Sequence, residues 1–149
     1  MSIFVFLTFL RPLRTIDEAI EIGWVNFTVI SLATLMSWRR AVTAINRDLL
    51  VASVAAIAGV LLHRLFAVDD AGATLAQVLR NDALIIACVA STIRAPFRFD
   101  RTLGTGPMLV TALAIHAWPG NAAPLFTIGI SLRLLLIAVP LIAMSRDGD

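Results

Sequence analysis

The feature that most constrains this chain is a series of long apolar blocks separated by short connectors that carry arginine. The last block, LFTIGISLRLLLIAVPLIAM, runs from Leu125 to Met144 and is interrupted by a single charge, Arg133. A stretch of about 20 apolar residues is long enough to cross the hydrocarbon core of a bilayer as a helix. The pattern therefore predicts an all-α, polytopic integral membrane bundle rather than a soluble domain.

The composition of the chain agrees with a membrane protein. Of its 149 residues 59% are hydrophobic and 15% are charged, whereas soluble domains are about 45–50% apolar and about 25% charged. All twelve basic residues are arginine, a usage typical of GC-rich bacterial or phage genomes. These arginines lie beside apolar blocks and not on one solvated face, so they indicate lipid headgroups and not nucleic acid. We expect the bacterial cytoplasmic membrane as the location.

The apolar blocks predict about five transmembrane helices, with a range of four to five, in a single membrane domain over residues 1–149. The spans are predicted at about residues 20–38, 49–68, 75–93, 103–118 and 124–144. Residues 1–14 are predicted as an interfacial or re-entrant segment, because their apolar part would extend only about 14 Å as a helix. Thr15 and Glu18 then form a capping-box pattern that starts the next helix.

The distribution of arginine predicts the orientation, since basic residues favour the cytoplasmic side of a membrane. The connectors 39–48 and 94–102 and the C-terminal tail carry arginine, which places the N-terminus outside and the C-terminus inside. Five arginines in these connectors are expected to anchor the chain at lipid headgroups: Arg39, Arg40, Arg94, Arg98 and Arg101.

Three polar residues within the spans are predicted to form a layer at similar depth. Asn26, Asp82 and Arg133 lie about 9, 10 and 13 Å below the outer ends of their spans. A charge near the bilayer centre costs about 2.5 to 3.5 kcal/mol, so it usually finds a partner. We expect Arg133 to pair with Asp82, supported by Asn26, as a clamp between helices or as the lining of an aqueous path.

An alternative for this layer depends on where the third span begins. If that helix starts at Asn81, Asp82 caps its N-terminus at the membrane surface. Arg133 would then extend to the headgroups or face another subunit.

Two histidines and two runs of small residues are further candidates for contacts. His63 and His116, on separate spans, could ligate a haem or contact a quinone, but their unequal depths favour hydrogen bonds between helices, and no cofactor is expected. Small residues allow membrane helices to approach closely. They share a helical face at Ala52, Ala56 and Gly59 in the second span, and at Ala83, Ala87 and Ser91 in the third.

No motif for catalysis or for metal binding occurs in the sequence. There is no P-loop, zinc motif or G-x-S-x-G elbow, and the single cysteine, Cys88, lies in an apolar run without metal-ligand spacing. We therefore predict a protein that is not an enzyme, with no catalytic residue and no metal site.

The layout of the first two-thirds of the chain resembles that of small phage holin-type proteins. It has an outer N-terminus, a span ending in SWRR, a second ending in HRLF, and a third ending in the basic and aromatic connector RAPFRFDR. The resemblance implies a self-associating pore or lesion former, lined by Asn26, Asp82 and Arg133. The alternative is an accessory or anchor subunit of a larger membrane complex, with a haem- or quinone-binding redox anchor as a third class.

Overall fold

A computed structural model describes residues 13–38, 44–70, 72–92 and 98–146, of which residues 44–46, 48–49, 98–104 and 137–146 are described by their backbone alone. Within these ranges the chain forms five α-helices and no strand, which confirms the all-α prediction. A single 3-10 turn, Pro119–Asn121, joins the last two helices. The helices are α1 (Ile16–Trp38), α2 (Ala44–Asp69), α3 (Leu75–Thr92), α4 (Arg98–Ala117) and α5 (Ala122–Arg146).

Each predicted span overlaps one of these helices, and three of the helices can be assigned a crossing by length and composition. Ile16–Trp38, Leu50–Asp69 and Leu75–Thr92 are long and apolar enough to cross a membrane, among the residues that the structure describes. The shortest of them, with 18 residues, would extend about 27 Å, close to the thickness of a hydrocarbon core. The chain therefore has the helices of a membrane protein.

Helix α1 begins at the capping box that the sequence predicted. The backbone N–H of Glu18 donates to Thr15 Oγ1 at 3.2 Å, and the Glu18 carboxylate accepts from the backbone N–H of Arg14 at 2.8 Å. The first bond satisfies an amide group that a helix start leaves without a partner, while the return bond goes to Arg14, one residue before the Thr15 cap. Of the predicted interfacial segment 1–14, residues 1–12 lie outside the described residues, and Leu13 is buried.

A second capping box, which the sequence analysis did not identify, starts helix α3. The backbone N–H of Thr74 donates to Gln77 Oε1 at 2.9 Å, and the N–H of Gln77 donates to Thr74 Oγ1 at 3.3 Å. Because this reciprocal pair fixes the helix start at Leu75, Asp82 lies two turns inside the helix. The alternative in which Asp82 caps a helix that begins at Asn81 is wrong.

Helices that follow each other in the chain pack together, and α5 also packs back on α3. We call the end of the bundle that carries the α2–α3 connection (residues 70–74) and the α4–α5 connection (residues 118–121) the hairpin end. A core of four alanines and four larger apolar side chains lies there, formed by Leu13, Ala19, Leu79, Ala83, Ala112, Ile115, Ala122 and Phe126. Helix α3 contributes to this core and contacts three other helices, so it is the central element.

Most residues of the predicted small-residue faces lie in the interior of the bundle. Ala56, Ala83 and Ala87 are buried and Ala52 is half-buried. A Cβ added at Gly59 would lie 3.2 Å from Ile85 Cγ2, so this glycine sits against α3. Ser91 departs from the prediction.

Ser91 is exposed, and its hydroxyl donates to the carbonyl of Cys88 within its own helix at 2.6 Å. The buried face of α3 continues through Ala90 instead.

Helices α4 and α5 approach each other closely at Gly129. A Cβ added at Gly129 would lie 1.9 Å from Thr111 Oγ1 and 2.8 Å from Thr111 Cβ. The Thr111 hydroxyl itself donates to the carbonyl of Pro107 at 2.7 Å. Only a residue without a side chain fits at position 129 while Thr111 holds this position.

Candidate functional site

The α2–α3 hairpin brings three charged or titratable side chains to one level of the bundle. His63 and Arg64 lie six and five residues before the end of α2, and Asp82 lies seven residues after the start of α3. At 1.5 Å per residue these positions are about 8 to 11 Å from the hairpin end. Because consecutive antiparallel helices pair residues at equal distances from their connection, Asp82 faces the His63–Arg64 pair.

The carboxylate of Asp82 is fully buried and bonds to both of these residues. Oδ2 accepts from Arg64 Nε at 2.7 Å, and Oδ1 lies 2.8 Å from His63 Nδ1. Asp82 is 0% exposed and Arg64 is 4% exposed. A buried carboxylate is stable only when a cation and hydrogen bonds compensate its lost hydration, and this arrangement supplies both.

Arg64 also binds helix α1, so the ion pair joins three helices. Its Nη1 donates to the backbone carbonyl of Ala19. Ala19 is fully buried, and one turn later Gly23 is buried as well. A Cβ added at Gly23 would lie 3.1 Å from Leu61 Cδ1 and 3.6 Å from Arg64 Nη1. The small residues of α1 thus let its backbone come within reach of the guanidinium.

The ring of His63 occupies the edge of the same group. His63 Nε2 lies 3.4 Å from Asn81 Nδ2, and the side chain is 25% exposed. A carboxylate can only accept hydrogen bonds, so His63 Nδ1 carries the proton and donates to Asp82. In a neutral ring, Nε2 then accepts from the Asn81 amide, a tautomer assigned from the network. We call His63, Arg64, Asn81 and Asp82 the polar cluster.

The partner of Asp82 is therefore Arg64, and the predicted pair of Asp82 with Arg133 is wrong. Both carboxylate oxygens bond to residues of α2. Arg133 is half-buried on α5, eleven residues after that helix begins. This position is about 16 Å from the hairpin end, some 6 Å deeper than Asp82. The single-level polar layer of the sequence analysis is thus divided between two depths.

Asn26 lies at about the same depth in the bundle as Arg133, and deeper than Asp82. It is half-buried on α1, ten residues after the helix start, or about 15 Å from the hairpin end. Its depth was underestimated because α1 begins four residues earlier than the predicted span. The support that Asn26 was predicted to give Asp82 is supplied by Asn81, which follows Arg80 on α3 and reaches Asp82 through His63.

A second polar contact joins α3 to α4. Arg80 Nη1 lies 3.4 Å from His116 Nδ1. Arg80 is half-buried and His116 is exposed. Successive helical residues differ in direction by about 100°, so Arg80 turns towards α4 while its neighbour Asn81 turns towards α2. Both histidines predicted as ligand contacts therefore have protein partners, on opposite flanks of α3.

These partners bear on the haem or quinone interpretation of the two histidines. Both ring nitrogens of His63 lie within hydrogen-bonding distance of protein groups, Asp82 and Asn81. A metal or quinone oxygen at Nε2 would have to displace the Asn81 amide. The ring is held between side chains of α3, which is the geometry of a hydrogen bond between helices.

Arg64 is the residue that the sequence analysis missed. The sequence contains a pattern that predicts its role. The pair His63–Arg64 lies before the connection 70–74, and the pair Asn81–Asp82 lies after it at nearly the same number of residues. A hairpin folded at that connection places the two pairs side by side.

The side chains of the predicted lipid anchors lie outside the part of the chain that the structure describes in full. Arg39, Arg40 and Arg94 are outside the described residues, and Arg98 and Arg101 belong to α4 by their backbone alone. At that end of the bundle the described residues include Arg47, whose guanidinium carbon lies 5.9 Å from the centre of the Trp38 ring. This distance is within the range of a cation–π contact, which here joins the end of α1 to the start of α2.

Comparison of the chain with models of protein families, with curated proteins and with solved structures finds no match.

Proposed function

We propose that this chain is a non-catalytic accessory or anchor subunit of a larger assembly in a bacterial cytoplasmic membrane. The observation that carries the proposal is the polar cluster, whose buried carboxylate bonds to Arg64 and His63 of its own chain and whose buried guanidinium bonds to α1. Such a group holds helices together. The most polar side chains of the described bundle therefore bond to groups of the same chain.

The outward faces of the helices support the same interpretation. Large apolar side chains are exposed on each of the five helices, and a pore-lining helix would instead carry a continuous polar stripe. Apolar faces suit lipid or the helices of another membrane chain. Examples are Leu35 and Met36 on α1, Phe66 on α2, Val110 and Leu113 on α4, and Leu135 on α5.

The proposed topology has five crossings, with the N-terminus outside and the C-terminus inside. Helices α4 and α5 would form a hairpin that crosses twice, beside the three longer apolar helices. In this orientation the hairpin end faces the outside, because the connectors with several arginines lie at the opposite end.

A holin-like, self-associating pore is the second candidate. The observation that favours it is the incompletely buried polar side chains on both flanks of α3, His63 with Asn81 towards α2 and Arg80 with the exposed His116 towards α4. If copies of the chain associated with these flanks facing inward, the flanks would line a polar path.

One experiment separates the candidates. The protein is extracted from its native membrane in mild detergent, and native mass spectrometry and an absorption spectrum are recorded on the same sample. A defined complex with other membrane chains supports the accessory role. A pigment-free homo-oligomer that depolarises membranes on induced expression supports the pore and overturns the accessory role, and a Soret band supports a redox anchor.

A further inference from the structure

Arg80 and His116 meet at the hairpin end, close to the level of the lipid headgroups. Arg80 lies five residues after the start of α3, and His116 is the next to last residue of α4. Side chains lean towards the N-terminus of their helix, and α3 starts at the hairpin end. The long Arg80 side chain therefore extends from about 8 Å depth back towards the surface, where it reaches His116.

The charge of Arg80 is not balanced in the way that the charge of Arg64 is. The nearest carboxylate along α3, Asp82, bonds to Arg64 and His63. Within the described ranges Arg80 contacts the imidazole of His116 and forms no ion pair. An arginine that is half-buried at the edge of the hydrocarbon core is stabilised by an anion.

The two side chains retain donors that an anion can use. Arginine has five N–H donors in a planar fork, of which one points at His116 Nδ1. If Nδ1 accepts this bond, His116 carries its proton on Nε2 and donates there. Bidentate binding by a guanidinium is well matched to the oxygens of a phosphate group.

We propose that Arg80 and His116 bind the phosphate group of an anionic phospholipid at the hairpin end of the bundle. The depth of the pair favours a lipid over a dissolved anion, because the pair lies where the headgroups of a bilayer meet its hydrocarbon core. The exposed Trp118 ring, two residues beyond His116, lies at the same end, as aromatic residues at membrane interfaces commonly do. The proposal does not depend on whether the chain is a subunit or a pore.

The test measures lipid retained by the purified full-length protein. Native mass spectrometry compares binding of dioleoyl phosphatidylglycerol, and of phosphatidylcholine as the zwitterionic reference, to the wild type and to Arg80→Gln. The matched control is Arg14→Gln, since Arg14 is exposed at the same end of the bundle and the substitution removes the same charge. His116→Gln tests the second side of the site.

We expect Arg80→Gln to weaken phosphatidylglycerol binding about five- to tenfold, as loss of a charge-assisted pair of hydrogen bonds predicts. Arg14→Gln is expected to leave binding within about twofold, and His116→Gln to give an intermediate loss. Equal losses in Arg80→Gln and Arg14→Gln would overturn the site, because they indicate general attraction by surface charge. If inorganic phosphate at the same concentration as the lipid displaced it from the wild type, the ligand would be a dissolved phosphate, and the proposal of a lipid would be overturned.

Arg80→Lys keeps the proposal testable if Arg80→Gln fails to fold, which size-exclusion chromatography would reveal. Lysine keeps the charge but lacks the planar fork. A folded Arg80→Lys protein that binds as tightly as the wild type, together with a folded His116→Gln protein that does so, would contradict the proposal.

Discussion

Arg64 Nε lies 2.7 Å from Asp82 Oδ2, and both side chains are buried in the interior of the helix bundle. The two residues belong to consecutive helices and meet because their helices fold back at the connection 70–74. Around this pair the chain arranges a histidine, an asparagine and a backbone carbonyl of a third helix.

Substituting one partner of this ion pair should lower the free energy of unfolding more than substituting both partners together. Asp82→Leu or Arg64→Met leaves an unpaired charge in the bundle and is expected to lower the free energy of unfolding by about 3 to 5 kcal/mol. The double variant is expected to lose clearly less than the sum. The measurement is equilibrium unfolding in mixed micelles.

Asp69→Asn provides the control for this cycle, since Asp69 is an exposed carboxylate at the end of α2. It should change the stability by no more than about 0.5 kcal/mol. Additive losses in the Arg64 and Asp82 variants would show that the two side chains do not stabilise each other.

Arg133 should be energetically independent of Asp82. Asp82 bonds to two residues of α2, and Arg133 lies on α5 about 6 Å deeper, so Arg133→Leu and Asp82→Leu are expected to add within about 0.5 kcal/mol. The same unfolding assay measures this cycle. A coupling between Arg133 and Asp82 as large as that between Arg64 and Asp82 would show that Arg133 pairs with Asp82, as the sequence alone predicts.

Gly129 should tolerate no larger residue while Thr111 is present. Gly129→Ala places a Cβ 1.9 Å from Thr111 Oγ1, and the resulting overpacking is expected to cost about 1 to 3 kcal/mol. Adding Thr111→Ala should recover part of this loss. Both effects can be followed by thermal unfolding in detergent.

Gly120→Ala is the matched control, because Gly120 lies in the turn between the same two helices and a Cβ there meets nothing within 4 Å. It is expected to be neutral or to stabilise by up to about 1 kcal/mol by restricting the unfolded chain. If both alanine variants lost stability equally, the close approach of α4 and α5 at Gly129 would be disproved.

The five-crossing topology can be tested by labelling single cysteines in a Cys88→Ser background. Asp69 and Asn121 are exposed at the hairpin end, so cysteines there should react with an impermeant reagent added outside intact cells. A cysteine at position 98 should react only after permeabilisation. Labelling at position 121 from the inside alone would mean that α4 and α5 do not cross as proposed.

The start of α1 was predictable because it depends on residues three positions apart. Thr15 and Glu18 form a local pattern whose bonds do not require knowledge of the rest of the fold. Thr74 and Gln77 form the same type of pattern and fix the start of α3. The start of α3 decides whether Asp82 is a cap at the membrane surface or a buried charge. The Thr74–Gln77 pattern therefore predicts the buried position of Asp82 from the sequence alone.

The partner of Asp82 was harder to predict because it depends on the register between helices. Depths measured from estimated span ends shift by 1.5 Å for every residue of error, and the first predicted span begins four residues after the start of helix α1. Counting outward from the short connection 70–74 avoids that error and points to His63 and Arg64. The contact of Gly129 with Thr111 depends on the rotation of α4 against α5, and nothing local in the sequence specifies it.

The hairpin that joins Arg64 to Asp82 also has a consequence for the biogenesis of the protein. A helix that carries Arg64 alone enters the bilayer against a cost of about 2.5 to 3.5 kcal/mol, and its counter-ion is only 18 residues away. A chain truncated before α3 should therefore insert α2 less efficiently than the full chain, as glycosylation mapping would reveal. The membrane-insertion machinery would receive the two helices with the Arg64 charge already neutralised by Asp82, and α1, already inserted, would supply the carbonyl that completes the coordination of the guanidinium.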